Sequence, residues 1–323
     1  MSRMIESIEK ITDIRELSNA VSSQVGKVII GNDTLIQSLT ISVLSNGHVL
    51  LEGLPGTAKT LLANSFTTSL GLKANRIQST PDMMPGDITG TRIYNAKTLE
   101  FDFIPGPIFA NLVLVDEINR APPRTQAALL EAMQENQVTV DGKTSKLDDP
   151  FMVIATKNPI EFEGTFTLSP TQLDRFMFRL IMNYPNKADA FKILSSKIGN
   201  VVEIEPVVSR SALIQAKKLL VDVNIDNSTL SLIAKLVRRT RNLTSISLGA
   251  SPTASVALLN ASKGYAAVVE GRDNVTVEDV KAVAFDVLNH RMIVKSDQYS
   301  ATSEEDTSDL STIKNIINES IES

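Results

Sequence analysis

The stretch His48-Val-Leu-Leu-Glu-Gly-Leu-Pro-Gly-Thr-Ala-Lys-Thr60 decides how the rest of the chain is read. A strand-like run, His48 to Leu51, stops at Gly53-Leu-Pro-Gly-Thr-Ala-Lys-Thr60, and helical sequence follows at Leu61-Leu62-Ala63. A Gly-rich loop between a strand and a helix N-terminus can curl its backbone N–H groups around an anion. The pattern GxxxxGK[ST] adds a Lys long enough to reach the outer phosphates and a hydroxyl for Mg²⁺. Gly53, Pro55, Gly56, Thr57, Ala58, Lys59, Thr60 and Leu61 are therefore the candidate nucleotide-binding residues, with Lys59 on the phosphates and Thr60 on the metal. One position departs from the pattern: Ala58 stands where the second Gly belongs. An Ala there is expected to need a negative φ, with Gly56 supplying the loop's freedom. The alternative, a surface turn with a solvated Lys, leaves the flanking strand and helix unexplained.

Working outward, two more apolar runs read as buried strands: Leu112–Val115, ending at Asp116-Glu117, and Phe151–Ala155, ending at Thr156-Lys-Asn-Pro159. Short apolar runs separated by helices indicate an α/β fold, a parallel sheet covered on both faces. Open sheets of this kind bind ligands at the carboxyl ends of their strands, where Asp116 and Glu117 fall. Asp116 is the candidate metal residue and Glu117 the candidate base for an attacking water. Asn158 could orient that water or simply serve as a turn residue before Pro159; spacing leaves both open. Asp87-Ile-Thr-Gly90 and Asn186-Lys-Ala-Asp189 fit two GTPase motifs, but Asp87 follows Pro85-Gly86 rather than a strand, and Asn186-Lys187 opens a helical stretch after Tyr184-Pro185. Both are read as chance, which favours ATP.

The 323 residues suit about two domains. A boundary near residue 186 separates an α/β core, 1–186, from a helical region, 187–323. Helices are expected through the first 45 or so residues, and again near 188–199, 209–221, 228–243, 252–270 and 276–293, the last with a capping box at Thr276–Asp279. Residues 296–311 read as a loose acidic segment before a short helix, 312–322. Val138-Thr-Val140 before Asp141-Gly142 signals a hairpin, and Thr91–Phe103 a weaker one; each is an insertion or an edge strand of the core sheet. A net charge of −5 argues against a nucleic-acid-binding surface, and zero Cys excludes disulfides and thiolate chemistry. With no signal-like leader and no apolar stretch of about 20 residues, a soluble cytoplasmic protein is expected.

The segments LEGLPGTAKTLLA, RIQSTPDMMPGDITG, FIPGPIFANLVLVDEINRAPPRTQAALLEAMQE, VIATKNPIEFEGTFTLSPTQLDRFMF and GASPTAS resemble the MoxR family of AAA+ ATPases, in the helix-2-insert clade. The likeness runs from about Val28 to Arg291. It implies a P-loop NTPase core followed by a small all-α lid, with nucleotide between them and at a neighbouring subunit. It also implies Mg²⁺-dependent ATP hydrolysis in a homo-oligomeric ring, expected to be a hexamer, that remodels or matures a client protein. The implied partner carries a von Willebrand factor A domain. By the same resemblance, residues 91–103 form the helix-2 insert and 138–147 the hairpin before the sensor-1 strand. Asn158 is then sensor 1, Ile30-Gly31 contacts the base, and Arg175 is the arginine finger, with Arg179 its runner-up. Relatives carry an Arg in GASPRA as sensor 2, where this chain has Thr253; weaker coupling of the lid to phosphate and slow basal hydrolysis follow, unless Arg291 substitutes. The rival readings are a nucleic-acid translocating or loading motor and a metal-chelatase motor subunit.

Overall fold

The apolar runs become neighbouring parallel strands, and the loops that end them share one edge of a sheet. The computed structural model describes residues 4–159, 164–196, 203–295 and 303–322. The first part comprises α1 (Ile11–Val25), α2 (Asp33–Leu44), β1 (Val49–Gly53), α3 (Lys59–Ser69), β2 (Ala74–Gln78), α4 (Pro85–Thr89), β3 (Gly90–Asn95) and β4 (Glu100–Pro105). It continues with β5 (Leu112–Asp116), α5 (Pro123–Glu135), β6 (Gln137–Val140), β7 (Lys143–Lys146), β8 (Met152–Lys157), α6 (Pro170–Leu173) and β9 (Phe178–Met182). The remainder is α7 (Lys187–Ser196), α8 (Arg210–Val221), α9 (Asn227–Thr240), β10 (Ile246–Leu248), α10 (Pro252–Val268), α11 (Val277–Leu288), β11 (Ile293–Val294) and α12 (Ser303–Glu322).

The main sheet runs β2-β5-β8-β1-β9, and every pairing in it is parallel. Every residue of β1 and β5 is buried, as is all of β8 except its final Lys157, because helices cover both faces; hence runs without polar alternation. The sequence did not reveal β2 and β9. In Ala74-Asn-Arg-Ile-Gln78 only Ile77 is buried, as suits an edge strand, and Arg179 interrupts the apolar run of β9. The two hairpins, β3–β4 and β6–β7, are separate two-stranded antiparallel sheets. They are insertions, and the edge-strand alternative is set aside.

The helices from α7 to α11 follow the expected succession, though residues 197–199 of the first lie outside the described residues. At the start of α11 the Asp279 carboxylate accepts the Thr276 N–H at 2.8 Å, closing the capping box. The helical region does not stand apart from the core: α10 packs on α1 and α2 as well as on α9 and α11. The carboxyl-terminal expectation is corrected. Residues 296–302 lie outside the described residues, but Ser303–Glu322 is one helix rather than a loose stretch to 311. Its buried Ile313, Ile316, Ile317 and Ile321 form a single stripe, and α12 packs on α9 and α11.

Asp286 of α11 carries an electrostatic cost. Burial lifts the Asp286 carboxyl to about 6, opposed by Lys314 of α12. The folded chain then binds this proton more tightly than the unfolded chain, so stability falls as pH rises from the ordinary value of 3.8 through 6. At neutral pH the penalty is of order 3 kcal/mol or less. Asp286→Asn is expected to raise the melting temperature at pH 7.5 and to leave it nearly unchanged at pH 4, as thermal unfolding at the two pH values would show.

Candidate nucleotide site

Three adjacent strands bring the candidate residues together. β5, β8 and β1 lie side by side and parallel, so Asp116-Glu117, Asn158 and the 53–60 loop emerge at the same edge. Within the loop, Gly56 has φ +80° and a Cβ there would meet nothing. Thr57 Oγ1 ties the loop by donating to Leu54 O at 2.8 Å, and Lys59 Nζ lies across it on Gly53 O (2.5 Å) and Leu54 O (3.0 Å). The expectation for Ala58 was wrong: its φ is +65° and ψ 29°, in the left-handed region. The chain tolerates the strain because Ala58 must turn directly into α3, whose first residue is Lys59. Ala58→Gly is therefore expected to stabilise the fold by up to about 1 kcal/mol, measured by denaturant unfolding.

Opposite the loop, Thr60 Oγ1 donates to Asp116 Oδ1 at 3.1 Å, and Thr156 Oγ1 donates to the same oxygen at 3.3 Å. Arg76 Nε holds the other carboxylate oxygen at 2.7 Å. Glu117 has φ +55° and ψ 53°, a left-handed residue that turns the strand end into the 3-10 turn Ile118–Arg120. Its N–H donates to Thr156 Oγ1 at 2.9 Å, and its Oε2 accepts from Gln78 Nε2 (3.3 Å) and Arg120 Nη1 (3.2 Å). The paired oxygens of Thr60 and Asp116 are hard donors suited to Mg²⁺, which usually completes its shell with phosphate and water. These residues fit the implied ion. Arg76, Gln78, Arg120 and Thr156 join the site without matching any motif in the sequence. Arg76 and Gln78 share one face of β2 at the strand period of two, a signal that needed β2 to be recognised first.

Asn158 is buried, 6% exposed, just past the end of β8. Ile30 and Gly31 lie in the turn between α1 and α2, and a Cβ on Gly31, with φ +80°, would collide with the Asp189 carboxylate. The loop therefore packs on the start of α7. The two GTPase-like motifs serve as helix caps: Asn186 Oδ1 accepts the Asp189 N–H at 2.9 Å, and Asp87 Oδ2 accepts the Met84 N–H at 2.8 Å.

Arg175 lies elsewhere. It precedes β9, at the amino edge of the sheet, and its Nη1 donates to Leu130 O at 3.2 Å and to Gln134 Oε1, both on α5. Arg179 is overturned as its alternative. It is 9% exposed and grips Glu52 through Nε (2.9 Å) and Nη2 (2.8 Å), inside the sheet. Burial opposes ionisation of Glu52, but Arg179 and then Lys157 outweigh it and hold the carboxyl below its ordinary value. Thr253 also lies at the amino edge, lining a cavity of about 410 Å³ with Arg175, Gly47 and Arg291. Gly47 precedes the five residues of β1, which set it about 17 Å from the loop at the other end. This placement sets Thr253 away from the chain's own loop, at the edge that carries Arg175. Arg291 cannot substitute there either, being 6% exposed and bound to Asp174 Oδ1 (2.7 Å) and Phe176 O (2.6 Å).

Comparison with known proteins agrees with this layout. Residues 48–178 match the ATPase family associated with various cellular activities (AAA), and residues 238–313 match the AAA lid domain. The Bacillus subtilis protein YeaC is 44% identical over 87% of this chain and 88% of its own length. Chaperone MoxR1 of Mycobacterium tuberculosis is 38% identical over 88% of this chain and 78% of its own. A crystal structure of a Cytophaga hutchinsonii protein superposes with a TM-score of 0.82 at 36% identity, covering 95% of each chain. With a phosphate loop facing an acidic strand end, and with relatives matched along nearly its whole length, the chain belongs to the MoxR family of AAA+ ATPases.

Proposed function

We propose that the protein hydrolyses ATP with Mg²⁺ and uses the cycle to remodel or mature a client protein. The observation that carries the catalytic part is the 3.1 Å contact between Thr60 and Asp116, which sets two metal-suited oxygens at the mouth of the loop. Bound there, Mg²⁺ would supply Lewis-acid neutralisation of phosphate charge. The loop N–H groups and Lys59 hold the phosphates, Glu117 accepts the proton of the attacking water, and Asn158 orients that water. Ile30 and Gly31 border the base.

Arg175 completes the site of a neighbouring subunit in a ring, taken as hexameric. Its place at the opposite sheet edge supports this reading, since it cannot reach the loop of its own chain. A guanidinium supplied across an interface makes hydrolysis depend on assembly. Support for the client role is the name chaperone given to MoxR1, and a von Willebrand factor A protein is proposed as the adaptor. No described helix is long and apolar enough to cross a membrane, and a cytoplasmic site of action is proposed. Nucleic acid is not the proposed client: the net charge is −5, and Lys143 and Lys146 of the second hairpin are flanked by Asp141 and Asp148.

Subunit mixing tests the reading. Arg175→Ala alone is expected to lose about 10³-fold in turnover, and Lys59→Ala alone to lose nearly all. Mixed, the two should turn over faster than the sum of the parts, because the Lys59→Ala subunit lends its Arg175 to an intact loop. A mixture no faster than that sum would refute action between subunits.

A further inference from the structure

The tripeptide that follows α11, Asn289-His290-Arg291, is buried, and each of its side chains reaches back to the segment carrying Arg175. Asn289 Nδ2 donates to Arg179 O at 3.1 Å. His290 Nε2 donates to Phe176 O at 2.9 Å; burial and then the Arg291 charge keep this imidazole neutral, well below its usual range. Arg291 makes the densest set: Nε to Asp174 Oδ1 (2.7 Å), Nη2 to Asp174 O (3.1 Å) and Phe176 O (2.6 Å), and Nη1 to Met177 O (3.1 Å). From the start of α10, Ser251 Oγ donates to the other Asp174 oxygen at 2.8 Å. Both chain neighbours of Arg175 are thus gripped by the lid, from two separate lid segments. The Arg175 guanidinium itself lies against α5 of the core, at the wall of the 410 Å³ cavity.

Burying a guanidinium against a half-buried carboxylate is an expensive way to join two layers that apolar packing could join. What such a network supplies is fixed geometry, because each polar group is satisfied in one arrangement only. A lid displacement must therefore either break several buried bonds or carry residues 174–177 with it. Misplacing a catalytic group by about 1 Å can cost about 100-fold in rate.

We propose that the lid positions Arg175 through the clasp formed by Ser251, Asp174 and Arg291, so that the lid of one subunit controls hydrolysis on the next. Asp174, Ser251 and Arg291 are positioning residues that touch no nucleotide. The inference rests on Arg175 acting across the subunit interface, as proposed above.

The test uses the full chain under assembling conditions, with turnover, KM for ATP and ADP affinity measured for each variant. Ser251 also caps α10, accepting the Ala254 N–H at 3.3 Å, so Ser251→Ala removes a cap as well as a clasp. Asp174→Asn leaves that cap intact, and Ser251→Thr keeps both functions. Ser251→Ala and Asp174→Asn are each expected to lower kcat about tenfold with KM and ADP affinity little changed, because a guanidinium that stabilises charge on the transferring phosphoryl group contributes in the transition state rather than to bound nucleotide. Ser251→Thr should restore the rate. In an Arg175→Ala background neither change should lower kcat further. Losses that multiply in that background, or a normal kcat in both single variants, would overturn the clasp while leaving Arg175 in place. A normal rate for Arg175→Ala itself would instead overturn the interface reading, and the clasp with it.

Discussion

Glu117→Gln is expected to bind ATP as tightly as the parent and to lose about 10²–10⁴-fold in turnover, the contribution of a positioned general base. The amide keeps the volume of the carboxylate and can still bond Gln78 or Arg120, so the fold should be undisturbed. It cannot take a proton from water. Because ATP then persists in the site, the assembled ring should persist too, and light scattering with ATP should show a longer-lived large species. Normal turnover would remove Glu117 from the role of base. The variant is also the form in which a client would stay bound longest, so affinity capture from cell extract should be done with it.

Lys59→Ala is expected to act one step earlier, on binding. In this structure the ammonium bridges Gly53 O and Leu54 O, across the mouth of the loop. Moving to a phosphate exchanges two neutral acceptors for a charged one, and charge-assisted bonds contribute about 1.5–3 kcal/mol each. Losing one or two of them weakens ATP binding by at least about 10-fold. Isothermal titration with a slowly hydrolysed analogue separates this outcome from the Glu117→Gln result, where affinity is retained. A Lys59→Ala variant that binds ATP normally and fails only in turnover would show that the loop holds the triphosphate by its backbone alone.

The parts of the site legible in the sequence were those where local chemistry has one outcome. Uninterrupted apolar runs read as buried strands here, and polar residues directly after such a run lie at the sheet edge; this placed Asp116 and Glu117, while the loop pattern between strand and helix placed Lys59 and Thr60. Steric preference alone gives Ala58 a negative φ; the strand-to-helix turn overrides it and holds φ at +65°. Arg76 and Gln78 went unassigned because an edge strand with one buried residue has no apolar signature. The position of Thr253 beside Arg175 lies beyond any local pattern. It depends on which sheet edge the helical region packs against, a property of long-range contacts between α10 and α1, α2 and α11. The long α12 was missed for a similar reason: its isoleucine stripe is stable only against α9 and α11, and its first half is acidic and polar.

A crystal structure with Mg²⁺ and a non-hydrolysable ATP analogue tests the central claim most directly. The β- and γ-phosphates should sit on the N–H groups of residues 53–60, with the cation bonded to Thr60 Oγ1 and facing Asp116 Oδ1. Density for the triphosphate at another edge of the sheet, or a cation that leaves Asp116 unengaged, would contradict it.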